Sequence, residues 1–316
     1  MTPTFWQQPS RISSLLQPFT ILTRLSNSWR KWTVTPYKAA IPVICVGNIT
    51  MGGAGKTPVV VSLAMMLQEA GHSVHIISRG YGRTRRDLLR VDPAQHQAAD
   101  VGDEPLLLSR IAPVWVAADR RLSVAAAIEA GAEVVIMDDG LQNPSLVKDL
   151  SLLVIDGNYG LGNGRLFPAG PLREPLTAAM KRVSAVMMIG EDKQGIAVDV
   201  PVLNGTVVPD LTAITGKRIV PFAGIGHPQK FFTMLKDHGI EIAEQVAFPD
   251  HYPYKAEDML RLQHLASKHN AELVTTEKDA MRLPVDVRKQ VLTVPITIEW
   301  QQKQALLSWL TGLFPN

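Results

Sequence analysis

Two segments of the sequence hold the residue types that bind a nucleoside triphosphate and a divalent cation. The first, "VGNITMGGAGKTPVVV", covers residues 46–61 and ends its glycine-rich part in Gly-Lys-Thr. In such loops, backbone amides and the helix start face the phosphate oxygens, the lysine reaches the β- and γ-phosphates, and the hydroxyl ligates Mg²⁺. The second, "EVVIMDDG", ends in Asp138 and Asp139, which suit Mg²⁺ directly or through water. Together the two segments predict a triphosphate site with Mg²⁺.

The glycine-rich segment departs from the usual phosphate-loop pattern at one position. That pattern is Gly, four residues of any type, then Gly-Lys-Ser/Thr, and it requires a glycine where this chain has Thr50. An apolar strand before the loop and a helical run after it favour a phosphate site over a plain turn. The predicted nucleotide-binding residues are Thr50, Met51, Gly52, Gly53, Ala54, Gly55, Lys56 and Thr57. The predicted metal ligands are Thr57, Asp138 and Asp139.

Candidates for activating an acceptor hydroxyl lie in two further motifs. "GDEP" places Asp103 and Glu104 before an apolar helical run, and "FPDHYPY" places His251 after a strand of the second half of the chain. An acceptor hydroxyl needs a carboxylate or imidazole within reach to take its proton. Asp103 and His251 can do this if the two halves of the chain face each other. Helix capping is the alternative interpretation of the two acids.

Arginines near the predicted site are candidates for binding substrate phosphate. Arg79 and Arg83 belong to "SRGYGR", and Arg173 ends a long loop, "IDGNYGLGNGRLFPAGPLREP", of the kind that is usually functional or disordered. A guanidinium group fits phosphate oxygens through two parallel hydrogen bonds. A solvated surface position is the alternative for each arginine. In "TTEKDAMRL", the threonine and the acids of the first helical turn favour a structural helix cap.

The elements that must position these residues follow an alternating pattern. Short apolar strands that end in Gly or Asp are separated by helical runs, which predicts an α/β fold with a mostly parallel sheet and helices on both faces. We predict a P-loop NTPase-like domain over residues 40–205 and a smaller α/β domain over residues 206–316. The predicted helices include 57–70, 228–238 and 255–269.

The amino-terminal segment, residues 1–39, is cationic and amphipathic. No Asp or Glu occurs before Glu69, and apolar residues recur mostly at three- and four-residue spacing, with Pro18 expected to kink the helix. No apolar run approaches the roughly 18–20 residues that span a bilayer. The segment therefore predicts peripheral contact with an anionic membrane, with packing on its own domain as the alternative. The single cysteine, Cys45, lies in an apolar run and is expected to be a reduced core residue of a cytoplasmic protein.

The ordered set of motifs resembles the tetraacyldisaccharide 4′-kinase family of the lipid A pathway of Gram-negative bacteria. These motifs are "VGNITMGGAGKTPVV", "SRGYGR", "GDEP", "DDGLQ", "GNGRLFPAGPLREP", "AGIGHPQKFF", "DHYPY" and "TEKDAMRL". The resemblance runs from about residue 40 to 285, and the missing first glycine is part of the family pattern. One position departs: the family usually has His after "DDGLQ", whereas this chain has Asn143, which can hydrogen-bond but cannot carry a proton.

The resemblance implies transfer of the ATP γ-phosphate to the 4′-hydroxyl of a tetraacylated disaccharide 1-phosphate, which gives lipid IVA. Asp103 would act as the base with support from His251, while Asp138 and Asp139 would position Mg²⁺ and the phosphate. Lys56 completes the predicted catalytic set. The predicted substrate-binding residues are Arg79, Arg83, Glu104, Gln142 and Arg173.

The resemblance also implies a location on the cytoplasmic face of the inner membrane, with a lipid substrate. The positive charge is confined largely to the amino-terminal segment and the loop arginines, which argues against nucleic-acid binding, and no obligatory protein partner is evident from the sequence. The rival interpretation is a membrane-associated P-loop switch ATPase that acts on a protein partner. Such ATPases usually carry an extra lysine before the paired glycines, where this chain has Met51. We therefore favour the kinase.

Overall fold

The computed structural model describes residues 3–23, 34–84 and 86–314, which form two α/β domains. The larger sheet consists of β1 (Val43–Gly47), β2 (Val74–Ser78), β3 (Leu89–Arg90), β4 (Val114–Val116), β5 (Val134–Asp138), β6 (Leu150–Asp156), β7 (Ala185–Ile189), β8 (Val202–Pro209) and β14 (Ile296–Trp300). Its order is β14-β8-β7-β6-β1-β5-β2-β4-β3. The two edge pairs are antiparallel and the inner pairs are parallel, which confirms the predicted fold class.

Helices cover both faces of the larger sheet. They are α1 (Arg11–Leu15), α2 (Lys56–Glu69), α3 (Ala98–Val101), α4 (Asp103–Leu108), α5 (Arg120–Glu129), α6 (Leu176–Met180) and α11 (Lys303–Thr311). Alternate residues of a strand point to opposite faces, so β1 buries Ile44 and Val46 in one hydrophobic cluster and Val43 and Cys45 in the other. Buried Cys45 is thus a core residue, as its apolar run indicated.

The smaller domain repeats this layered arrangement around a five-stranded parallel sheet. Its strands are β9 (Arg218–Ala223), β10 (Glu241–Ile242), β11 (Val246–Ala247), β12 (Glu272–Thr276) and β13 (Leu292–Val294), and its helices are α7 (Pro228–Asp237), α8 (Ala256–His269), α9 (Glu277–Ala280) and α10 (Val285–Arg288). Phe232 of α7 and Leu262 of α8 are buried in separate clusters on the two faces of the sheet. The two faces of this small sheet therefore have separate cores.

The end of the chain returns to the larger domain. Strand β14 pairs antiparallel with β8, and Trp300, Leu306 and Leu310 are buried in the core that α2 covers. The domain boundaries predicted from the sequence instead placed all of residues 206–316 in the smaller domain. An apolar strand followed by an amphipathic helix suits either sheet, so the choice depends on pairing with β8, which lies about ninety residues earlier.

The amino-terminal segment packs on the long glycine-rich loop of residues 157–175. The Trp6 indole N–H donates to the Pro168 carbonyl over 3.0 Å, and the Thr23 hydroxyl donates to the Phe167 carbonyl over 2.7 Å. Helix α1 is capped by Ser10 and is followed by a 3-10 turn, Gln17–Phe19, at the predicted kink. No helix within the described ranges is long and apolar enough to span a bilayer. The predicted membrane-contact residues at 24–33, including Trp29 and Trp32, lie outside those ranges.

Candidate active site

The phosphate loop begins as a short extended segment, which explains why its first residue is a threonine. Thr50 forms an antiparallel bridge with Leu172, the Met51 amide donates to the Pro171 carbonyl, and the Arg173 amide donates to the Ile49 carbonyl, both over 2.7 Å. A strand-like pairing needs no positive φ at position 50. The left-handed conformation occurs later in the loop, at Gly52 (φ 102°) and at Gly55 (φ 81°), where glycine has no steric cost.

The ammonium group of Lys56 lies at the start of α2 and faces the acidic pair. Its Nζ is 3.5 Å from Oδ1 of Asp139, whose two carboxylate oxygens accept from Nη1 of Arg173 over 3.1 and 3.0 Å. Burial alone would raise the pKa of Asp139, but Lys56 and Arg173 outweigh it and hold that pKa below its ordinary value. Asp139 is therefore an anion between two cations, in the place where phosphate oxygens would compete for both.

Asp138 has a different environment from its neighbour. It is 1% exposed at the end of β5, and its Oδ2 accepts from the Ser78 hydroxyl over 3.3 Å, while its buried Oδ1 has no hydrogen-bond partner among the described residues. Burial, followed by the charge of Glu104, raises the pKa of Asp138 above its ordinary value. A buried carboxylate oxygen without a partner is costly unless a ligand or water satisfies it.

Asp103 and His251 come together across the two domains. Nδ1 of His251 lies 3.0 Å from Oδ2 of Asp103, at the start of α4. Burial alone would raise the pKa of Asp103, but the hydrogen bond from His251 and the charges of Lys278 and Arg282 lower it to about 2. Asp103 is thus ionised at neutral pH although it is 5% exposed.

Three non-glycine residues within the described ranges have positive φ, and two of them belong to this site. They are Asp139 (φ 50°), His251 (φ 55°) and Asn270 (φ 48°). Asn270 ends α8, which is an ordinary place for this conformation. The conformations of Asp139 and His251 are uncommon for their residue types and point to a functional constraint.

Two cations of the smaller domain that we did not single out from the sequence also bind the acidic motif of α4. Nζ of Lys278 is 3.0 Å from Glu104, and Nε of Arg282 is 3.2 Å from Oδ2 of Asp103. Both belong to the "TEKDAMRL" motif, and their positive charge was the only feature of the sequence that could have indicated a contact with these acids. Glu104 is therefore an interdomain ion-pair partner in this structure, and its predicted contact with substrate remains a prediction.

Asp279, in the same motif, is a buried hydrogen-bond acceptor for four groups. Its Oδ1 accepts from the Gly224 amide (2.9 Å), the Tyr254 hydroxyl (2.7 Å) and Arg282 Nη2 (2.8 Å). Its Oδ2 accepts from the Thr276 hydroxyl over 2.6 Å, and the Asp279 amide donates to that same hydroxyl oxygen over 3.0 Å, which is the helix cap expected from the sequence. Asp279 therefore fixes the guanidinium group that contacts Asp103.

We expect Asp279→Ala to lower the free energy of unfolding by about 3–5 kcal/mol, because the substitution removes the carboxylate that forms a buried ion pair with Arg282. Urea denaturation followed by circular dichroism measures this change. Asp286→Ala, at an exposed aspartate of the same region, is the matched control. Equal stability of the two variants would contradict the structural role of Asp279.

Some predicted substrate-binding side chains make their contacts within the protein. Nε2 of Gln142 donates to the Asn48 carbonyl (2.8 Å) and to buried Glu174 (3.0 Å), so Gln142 joins the phosphate loop to the loop of Arg173. Arg83 donates to the carbonyls of Asp87 and Arg86, both over 3.0 Å.

The remaining side chains of this region divide between solvent and local turns. Arg79 is exposed next to the site. Asn143, which replaces the usual family histidine, accepts from the Ser145 amide over 2.7 Å and orders a turn. Tyr81 is exposed, and its ring centroid lies 5.5 Å from that of His251. Arg79 and Tyr81 of the "SRGYGR" motif are therefore both exposed to solvent.

Comparisons with known proteins show the family to which the chain belongs. The family model for tetraacyldisaccharide-1-P 4′-kinase matches residues 12–314. The chain belongs to that family. Membership confirms the predicted enzyme class, a kinase of lipid A biosynthesis.

Similar proteins extend over nearly the whole chain. The tetraacyldisaccharide 4′-kinase of Rhodospirillum centenum is 46% identical, with 96% of this chain and 94% of the relative covered. That of Methylorubrum extorquens strain PA1 is 45% identical, with 99% of both covered. A crystal structure of LpxK from Aquifex aeolicus in complex with ATP aligns with a TM-score of 0.78 at 27% identity, over 96% of this chain and 99% of that one. The fold of this kinase is therefore that of its family.

Proposed function

We propose that this kinase transfers the γ-phosphate of ATP to the 4′-hydroxyl of tetraacyldisaccharide 1-phosphate in the cleft between its two domains. The observation that carries the proposal is the interdomain pair of Asp103 and His251, formed beside the cluster of Lys56, Asp138 and Asp139. Glu104 links these groups, because it follows Asp103 in α4 and its charge acts on Asp138. In this proposal, the base and the phosphate loop act in one cleft.

Lys56 and Arg173 would neutralise the triphosphate. In this structure both side chains form ion pairs with Asp139. The oxygens of a bound triphosphate carry more negative charge than this carboxylate and would attract the same ammonium and guanidinium groups. Positioned cations that meet charge in the transition state are the main source of catalysis in phosphoryl transfer. The amides of Gly52 to Lys56 would add the positive potential at the start of α2.

Asp103 would orient the acceptor hydroxyl and take its proton. A carboxylate with a pKa of about 2 is a weak base, but a loose phosphoryl-transfer transition state needs little proton transfer before bond formation. His251 and Arg282 both contact Oδ2 of Asp103, over 3.0 and 3.2 Å. The carboxylate is thereby held in place to accept the proton of a bound hydroxyl.

The donor set suits Mg²⁺. The partnerless oxygen of Asp138 and the Thr57 hydroxyl are hard oxygen donors of the kind that Mg²⁺ prefers, directly or through water. Asp139 would act on the ion through water, since its oxygens already face Lys56 and Arg173. No group of three or more His, Cys, Asp or Glu ligands occurs in the described ranges, as expected if ATP oxygens and water complete the coordination. The bound ion would neutralise charge on the β- and γ-phosphates.

Turnover that depends on the acceptor tests this proposal against the switch ATPase. ADP release should require an acylated disaccharide 1-phosphate in detergent micelles and should be negligible with ATP alone. Equal ATP hydrolysis in the absence of any acceptor would contradict the kinase mechanism. A substrate without acyl chains, the disaccharide 1-phosphate, separates recognition of the sugar from recognition of the lipid.

Membrane contact by the amino-terminal segment forms the second part of the proposal. Ile12, Leu15, Phe19 and Leu22 follow helical spacing and are exposed, with Leu15 at 76% and Leu22 at 66%. The absence of acids before Glu69 makes this face complementary to anionic lipid. A lipid with four acyl chains cannot leave the bilayer cheaply, at about 0.8 kcal/mol per buried CH₂, so the enzyme must reach the membrane. The cytoplasmic face of the inner membrane is the location where ATP and this lipid meet.

We expect the double substitution Leu15→Ser and Leu22→Ser to weaken binding to anionic vesicles by about tenfold or more, because each leucine loses burial in the acyl boundary. Sedimentation with phosphatidylglycerol-containing vesicles measures this effect. Leu260→Ser is the matched control, since Leu260 is 67% exposed on α8 of the smaller domain. If the double variant bound vesicles like wild type, this segment would only pack on its own domain and would not contact the membrane.

A further inference from the structure

The loop between β9 and α7, residues 224–227, lies directly against the phosphate loop. A Cβ atom placed on Gly226 would lie 3.2 Å from the amide nitrogen of Gly53, a tight contact that the absence of a side chain avoids. A Cβ atom placed on Gly52 would lie 3.8 Å from Nε2 of His227. The smaller domain therefore brings an imidazole group to the glycines whose amides face the phosphates.

The position of this loop is fixed by the same groups that hold the Asp103 site. The Gly224 amide donates to Asp279, and the Gly224 carbonyl accepts from Arg282 Nη1 and from the His251 amide, each over about 3 Å. One rigid segment thus connects the acceptor side of the cleft to the phosphate loop. A contact between this segment and bound nucleotide would fix the distance between the nucleotide and the acceptor side of the cleft.

His227 itself is held from the side opposite the loop. Its ring lies against that of Tyr159, with centroids 5.1 Å apart. Asp156 organises both residues, because its Oδ1 accepts from the Tyr159 amide over 3.2 Å while its Oδ2 forms an ion pair with Lys230 in the first turn of α7. The imidazole group is therefore positioned by the larger domain although it belongs to the smaller one.

Within the part of the chain that the structure describes, the polar side-chain atoms of His227 and Tyr159 have no hydrogen-bond partner. The imidazole group of His227 is half-buried, caps no backbone amide of α7 and makes no hydrogen bond in the described part of the chain. The Tyr159 hydroxyl is buried and likewise has no partner there. Burial lowers the pKa of His227 below its ordinary value, so the ring is a neutral donor through one nitrogen at neutral pH.

We propose that His227 is a nucleotide-binding residue that the smaller domain supplies, and that its ring N–H donates to a phosphate oxygen of ATP above Gly52 and Gly53. Tyr159 orients the ring by packing. The smaller domain thereby contacts the donor nucleotide as well as the acceptor side of the cleft. This inference rests on the proposed ATP site.

Equilibrium binding of a fluorescent ATP analogue with Mg²⁺, in the absence of lipid, tests this role. We expect His227→Ala to raise the dissociation constant about tenfold or more, the usual effect of losing a hydrogen bond to a charged group. His227→Gln, which keeps a donor, should recover part of the loss. His238→Ala, at the exposed far end of α7, is the matched control and should bind like wild type.

Steady-state kinetics with the disaccharide lipid complete the test. His227→Ala should raise KM for ATP and leave KM for the lipid unchanged, while thermal unfolding stays at the wild-type midpoint. Wild-type ATP affinity in His227→Ala, or an equal loss in His238→Ala, would overturn the inference. Failure of the wild-type protein to phosphorylate the lipid would instead contradict the proposed function, because nucleotide binding is measured without an acceptor.

Discussion

Asp103→Ala is expected to lower kcat by about 10²- to 10⁴-fold, the range for losing a positioned proton acceptor, while ATP affinity stays close to wild type. The carboxylate contacts His251, Arg282 and the Glu104 amide, and within the described ranges it makes no hydrogen bond or ion pair with the phosphate loop. Its loss should therefore act on the acceptor hydroxyl and not on nucleotide binding. Single-turnover transfer from labelled ATP separates this step from product release.

Two variants control for structural effects of this substitution. Asp103→Asn keeps the shape and can still hydrogen-bond, but it cannot accept a proton, so its kcat should be nearly as low. Asp100→Ala removes an acid from the preceding short helix, where the carboxylate only accepts from the Gln97 amide, and should retain activity. A collapse of ATP affinity in Asp103→Ala, with normal turnover of the bound nucleotide, would show that Asp103 is not the base.

Lys56→Met is expected to lower kcat by about 10²- to 10³-fold, the usual cost of removing one positioned charge from a transition state. The side chain of Lys56 is 10% exposed and its ammonium group faces Asp139, so no solvent cation can easily replace it. Removal also leaves Asp139 with Arg173 as its remaining nearby cation, which should raise the pKa of that carboxyl group toward its ordinary value. Steady-state kinetics at saturating lipid measures the effect.

The control for Lys56→Met is Lys268→Met, at an exposed lysine on α8. That variant should match wild type in kcat and in KM for ATP. Retention of more than half of the wild-type kcat by Lys56→Met, together with an unchanged KM for ATP, would contradict the assignment of this loop as the phosphate site. A normal kcat with a raised KM would mean that Lys56 binds ATP equally well in the ground state and the transition state.

Local patterns in the sequence were enough to predict the nucleotide side of the cleft. The strand, glycine loop and helix around Lys56 are contiguous, and Asp138 and Asp139 follow a strand that pairs with β1, so both motifs necessarily meet at one edge of the sheet. The approach of Asp103 to His251 was conditional on the domains facing each other. The structure fulfils that condition, while the chemical roles of these side chains remain predictions.

Contacts between distant segments could not be read from the sequence. Thr50 takes the place of a glycine because the segment at 171–173 pairs with it, more than a hundred residues away. Lys278 and Arg282 bind the acids of α4 only because the smaller domain packs in one particular orientation. The return of β14 to the larger sheet has the same cause. Pattern and propensity determine which elements form, and tertiary packing decides which of them meet.

The central claim is that one cleft holds the triphosphate at Lys56 and aims a sugar hydroxyl at its terminal phosphorus. The most direct measurement is transfer of labelled γ-phosphate from ATP to purified tetraacyldisaccharide 1-phosphate, with the new ester located by phosphorus–proton NMR correlation. We predict one labelled phosphate per lipid, attached to the 4′-oxygen, and none in Asp103→Ala under the same conditions. Label released only as inorganic phosphate, or attached to the protein, would contradict the account.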